Sequence, residues 1–205
     1  MSLRSLRDKL AVALAAAGFF LMAGAALAQA KPSIQERFVL CTTCHGKGGV
    51  STQPLIPSLA GQPSFYAITQ LFLFREGRRG NEAMTTVAKN MTDDDLRAFS
   101  DFIGTLPPPP APAPGMADAL RMARGSALAQ QHRCAACHGT DFSGGKQVAR
   151  LAYQREDYLG QTLQEFRAAK RIGYTQAMNE ALAGIPPEAL QDLAHYLSHL
   201  PSTAP

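Results

Sequence analysis

Apolar residues along this chain fall into stripes of helical spacing. After Thr92, with Asp95 three positions later completing a capping box, Leu96, Phe99, Phe102 and Ile103 recur at intervals that place them on one helix face. Leu190, Leu193, Tyr196, Leu197 and Leu200 repeat that pattern after Pro186 and Pro187. Ser33 with Glu36 opens another predicted helix that runs into Cys41, and a further helical stretch follows Ser64 through Arg75. Runs alternating apolar with polar residues are missing from the pattern, so the predicted class is all-α.

The first stripe of the chain has a different character. Arg4, Arg7 and Lys9 precede an apolar run from Leu10 to Ala28 that ends Ala26-Leu27-Ala28, a small-x-small cleavage pattern. Residues 1–28 are therefore expected to be a secretory signal peptide. The run is nearly long enough to cross a bilayer, so an uncleaved membrane anchor is the alternative. The mature chain is therefore expected to be exported.

The sharpest change in composition is PPPPAPAP, Pro107 to Pro114, followed by Gly115. Six prolines in eight residues cannot continue a helix; they favour an extended spacer of roughly 25 Å. The alternative is a long surface loop inside one domain. An internal repeat across the run favours a boundary: Cys41 and Cys134 are 93 residues apart, Tyr66 and Tyr158 are 92, and the pairs Met84 with Met178 and Leu96 with Leu190 are 94. Two copies of one helical fold are expected, residues 31–106 and 116–205, joined by a linker at 107–115.

Composition narrows the function mainly by exclusion. The 205 residues are 46% hydrophobic and 18% charged, ordinary for a globular protein. Loss of residues 1–28 removes three bases and one acid, so the formal charge of +4 falls to +2. With no dense Lys/Arg run and no basic stripe interleaved with aromatics, nucleic-acid binding has little support. Each copy is small enough that side chains alone make only a marginal core, and something else is expected to supplement it.

The supplement is indicated by CTTCHG, Cys41 to Gly46, and CAACHG, Cys134 to Gly139, which hold all four cysteines. A dithiol would not require the histidine, and an all-thiolate zinc site built from the two pairs leaves both histidines unexplained. Disulfides suit an exported chain but have the same shortcoming. Covalent c-type haem accounts for every position. Cys41 and Cys44, or Cys134 and Cys137, face the same way on a helical turn and bond one porphyrin edge, while His45 or His138 meets the iron. The methionines in register, Met84 and Met178, are the candidate second ligands. Met91 also follows the first motif but stands opposite Ile185, which has no ligating atom, and is assigned to packing.

In these features the chain resembles the cytochrome c4 family of two-haem class I c-type cytochromes. The resemblance runs from about Ile34 to Leu200 and includes CTTCHG, the PSLAGQ run at Pro57 to Gln62, the tyrosine-helix-arginine stretch to Arg79, Met84, and the second set. It implies two tandem class I cytochrome c domains, each wrapped round one covalently attached haem with His/Met ligation, the haems facing one another near the domain interface. Pro57 resembles the proline whose carbonyl accepts the proximal histidine's ring hydrogen bond. The second copy departs here, with Ala149 opposite Pro57 and Tyr153 opposite Gly61.

A six-coordinate His/Met iron leaves no position for substrate and suits an electron relay rather than an enzyme. The expected partners are redox proteins: a terminal oxidase, a quinol-oxidising complex or a dehydrogenase. The alternative is the cytochrome subunit of a periplasmic dehydrogenase, such as a flavocytochrome sulfide dehydrogenase. A two-haem peroxidase needs one iron to open for peroxide, and the paired methionines argue against it. Arg75, Arg78, Arg79, Arg167, Lys170 and Arg171 read either as solvated helix faces or as partners of haem propionates near the interface. His132, His195 and His199 are expected at the surface or in packing.

Overall fold

The computed structural model describes residues 32–171 and 176–201. The expected signal peptide at 1–28 lies outside the described residues. From Ile34 onward the described residues form one compact unit, built only of helices and loops apart from an isolated bridge between Gly145 and Val148. Among them no helix is long and apolar enough to cross a membrane.

The first half runs α1 (Ile34–His45), a short 3-10 turn (Lys47–Gly49), α2 (Ser64–Arg75), α3 (Glu82–Ala88) and α4 (Asp93–Thr105). The second runs α5 (Ala119–Gln131), α6 (Ala135–His138), α7 (Glu156–Arg167), α8 (Gln176–Ala183) and α9 (Ala189–Ser198). The striped helices behave as their spacing requires. Leu96, Phe99 and Ile103 of α4 are buried with Phe38, Ala67 and Leu71, and Leu190, Leu193 and Leu197 of α9 with Phe142, Leu159, Leu163 and Phe166. Thr92 and Asp95 form the reciprocal capping box of α4. Ser64 is the first residue of α2 rather than its cap, and α1 continues through the first cysteine motif to His45. The methionine-bearing helices α3 and α8 have no apolar stripe long enough to announce them.

Each half closes when its first helix meets its last, α1 against α4 and α5 against α9. At Gly125 of α5 an added Cβ would lie 2.3 Å from the Asp192 carbonyl oxygen and 2.5 Å from the Tyr196 Cβ, so only glycine allows this approach. In the first half Arg37 supplies the tie, ion-paired to Asp95 and stacked 4.8 Å over the Phe99 ring.

The proline run is packed rather than free. Pro109 is buried, and Pro108 crosses so closely over Gly61 that a Cβ there would lie 2.9 Å from the Pro108 Cα. With Val50, Tyr153, Gln154 and His199, prolines 109, 110 and 112 line a cleft between the halves.

Candidate functional site

Both cysteine motifs sit where a helix ends at a glycine in left-handed conformation, Gly46 with φ 79° and Gly139 with φ 83°. The turn after each sends the chain back past the histidine. His45 Nδ1 is 2.8 Å from the carbonyl oxygen of Pro57, and His138 Nδ1 is 2.9 Å from that of Ala149. The carbonyl can only accept, so each ring donates from Nδ1 and keeps the lone pair of Nε2 for a metal. Ala149 thus supplies the carbonyl that Pro57 supplies in the first half, because the contact uses backbone alone.

Burial disfavours the charged imidazolium and lowers the pKa of both rings against the opposing effect of the carbonyl. Both histidines are therefore held neutral, the form that ligates. No disulfide joins the four cysteines. Cys41 and Cys134 lie half-buried against their cores while Cys44 and Cys137 are exposed. Burial pushes the Cys41 thiol up to about 11 and raises Cys134 as well.

Met84 packs against the same core cluster as Cys41, and Met178 against the same cluster as Cys134. The Asn81 side chain caps α3 by accepting from the Met84 N–H at 2.9 Å, which fixes the methionine's turn. Met91 also lies against the first cluster. The donor set in each half, two thiols on one turn, a neutral imidazole with a free Nε2 and a nearby thioether, fits a c-type haem. Two buried polar atoms in the second half, Arg150 Nε and Asn179 Oδ1, have no hydrogen-bond partner within the protein, as expected if part of their surroundings is supplied by a bound group.

Four of the six residues in the arginine group have definite partners within the protein. Arg75 donates to the Met91 carbonyl at 3.2 Å, and Arg167 to the Ile185 carbonyl at 2.7 Å. These two arginines and the two residues they hold are repeat counterparts, so each tethers the end of its methionine segment. Arg79 and Arg171 stack over Phe74 and Phe166 at 4.4 and 4.9 Å. They converge from opposite halves on the Tyr158 hydroxyl, to which Arg79 donates at 2.9 Å. Burial opposes ionisation of that phenol, but the two guanidiniums outweigh it and bring its pKa down to about 8. Arg78 and Lys170 are exposed.

The halves are also clasped by two glutamines at equivalent positions, which sequence reading missed. Gln62 donates to the Arg150 carbonyl at 3.0 Å and accepts from its N–H at 3.0 Å. Gln154 does the same to Ser58, at 2.8 Å both ways. The available signal was the pairing of SLAGQ at 58–62 with RLAYQ at 150–154. Of the remaining histidines, His195 is buried, accepting at Nε2 from the Asp118 N–H and facing Glu156 through Nδ1 at 2.8 Å. Glu156, His195 and His199 are close enough to resemble a metal cluster, but His195 already commits both nitrogens.

Comparison with known proteins agrees with this arrangement. The cytochrome c family model matches residues 122–201, and the model described as cytochrome c oxidase, cbb3-type, subunit III matches residues 25–103. The chain is 33% identical to a cytochrome c4 of Thiocapsa roseopersicina over 172 residues, 78% of this chain and 87% of the relative. It is 30% identical to a thiosulfate dehydrogenase electron acceptor of Stutzerimonas stutzeri (strain A1501), covering 78% of each. Its fold superposes on the cytochrome c4 structure of Acidithiobacillus ferrooxidans with a TM-score of 0.68 at 29% identity, covering 78% of this chain and 98% of that one.

Proposed function

Since the chain belongs to the cytochrome c4 family, carries two covalently bound c-type haems and transfers electrons rather than catalysing a reaction, we propose that it relays single electrons in the periplasm between redox proteins. Residues 1–28 direct export in this reading, and 31–106 and 116–205 are the two haem domains, joined by 107–115. Cys41 and Cys44 hold the first haem with His45 and Met84 on its iron; Cys134 and Cys137 hold the second with His138 and Met178. The haem supplies the one-electron couple. The protein holds each imidazole in one tautomer and keeps the ring neutral, and Met84 and Met178 would offer the iron a thioether sulfur, which would favour its reduced state. The observation that carries the reading is the duplicated proximal geometry, a 2.8 Å and a 2.9 Å contact to the carbonyls of Pro57 and Ala149.

A spectroelectrochemical titration of the holoprotein tests the relay: two one-electron waves with low-spin spectra throughout are expected, and turnover with hydrogen peroxide would overturn it. The ligand assignment is tested by the weak far-red sulfur-to-iron band of ferric His/Met haem. Met84→Leu should remove about half of it, Met91→Leu none; the opposite result reverses the assignment. Partners are an oxidase, a quinol-oxidising complex or a dehydrogenase. The likeness to a thiosulfate dehydrogenase electron acceptor favours a second reading, in which the chain is the electron-accepting subunit of a periplasmic dehydrogenase. Reduction by a co-purifying dehydrogenase and its substrate would select that reading.

A further inference from the structure

The halves repeat one another closely behind the proximal histidines, and one side chain breaks the repeat where charge matters. Ser58 follows the carbonyl that holds His45, and Arg150 follows the carbonyl that holds His138. Their backbones do the same work, since each gives its N–H and C=O to a glutamine of the other half. The interface therefore asks nothing of either side chain. Ser58 spends its hydroxyl locally, accepting from the Ser51 N–H at 3.1 Å. Arg150 has no such outlet. Its Nε is buried without an acceptor in the protein, and the acid that acts on it through space, Asp141, is exposed and already accepts from the Ser143 N–H. A guanidinium N–H withdrawn from water is disfavoured until it meets an acceptor, and porphyrin carboxylates are acceptors of the right charge and planarity.

We propose that Arg150 pairs with the haem of the second half and holds its reduction potential higher than a serine there would. This rests on attachment of that haem at Cys134, Cys137 and His138. Each transfer adds one electron and no proton, so the net charge of the site falls by one, and a fixed positive charge stabilises the reduced form more than the oxidised one. The first half has a neutral residue at the same place, so the asymmetry bears on the direction in which electrons settle between the two haems. Arg150 is a positioning and tuning residue.

The test is a redox titration of the two-haem protein and its variants. Two waves in the parent establish the haem reading on its own, and Met178→Leu marks the wave of the second haem by displacing it. Arg150→Ser should shift that same wave negative by about tenfold in the ferric-to-ferrous ratio, about 59 mV for one electron, and leave the other in place. Arg150→Lys, which keeps the charge, should stay near the parent. The proposal is overturned if Arg150→Ser moves neither wave or both alike, or if Arg150→Lys shifts as far as the serine variant. If the serine variant does not load both haems, Arg150→Gln is read instead; loss of the second haem there too would make the residue structural and also overturn the proposal.

Discussion

The two halves trace one backbone with different residues, and the difference shows what the fold demands. Gly49, Gly61 and Gly77 of the first half have φ of 77°, 68° and 63°. Their counterparts are Phe142, Tyr153 and Ala169, at 55°, 59° and 52°. A left-handed conformation costs a non-glycine residue about 1 kcal/mol or more, so the loops are imposed by their setting rather than chosen by local preference. Two of the three replacements have an evident return. Phe142 is buried in the second core and meets the Tyr196 ring edge-on at 6.0 Å, while the Tyr153 N–H donates to the Leu197 carbonyl at 3.1 Å. Ala169 merely ends α7, and nothing in the structure explains why it is not glycine.

The helix crossings differ in the same spirit. The second half closes by backbone contact at Gly125, the first by a charged and aromatic tie through Arg37. Moreover, α1 passes unbroken into its cysteine motif, whereas α5 stops and Arg133, with φ 50°, turns the chain before α6 begins.

The sharpest way to break the comparison is Gly125→Ala, which forces α5 from α9. A loss of about 3 kcal/mol is expected in denaturant unfolding followed by circular dichroism. Removing the clasp comes next. Gln154→Ala leaves the buried Ser58 N–H and carbonyl unpaired and should cost about 2 kcal/mol, and combining it with Gln62→Ala should separate one unfolding transition into two.

Asp95→Asn is expected to cost about 1 kcal/mol near neutral pH, because one amide oxygen replaces the two carboxylate oxygens that serve the Thr92 N–H and Arg37, and the ion pair is lost. The pH dependence sharpens this test. Backbone hydrogen bonding from Thr92, then Arg37, holds the Asp95 carboxyl at about 2, below its usual 3.8. A depressed carboxylate stabilises the fold above the unfolded value and ceases to do so as pH falls through the folded one. The gap between parent and variant should therefore narrow from pH 4 to pH 2. The smallest effect tests the left-handed positions directly: Ala169→Gly should gain about 0.5 to 1 kcal/mol, and Gly77→Ala should lose a similar amount.

What the sequence determined by itself was local or repeated. The stripes of α4 and α9, the Thr92 and Asp95 cap, the two cysteine motifs and the methionine register each depend on residues a few positions apart, or on one pattern occurring twice, so all could be read without a fold. The tertiary structure alone decided where carbonyls and side chains from distant segments meet. Ala149 could replace Pro57 because a backbone oxygen carries no side-chain signature. Gln62 and Gln154 clasp partners 88 and 96 residues away, and Arg79 with Arg171 finds Tyr158 only once the halves are packed. Phe142 and Tyr153 hold conformations that their own propensities oppose, because burial and hydrogen bonding across the fold outweigh the local strain.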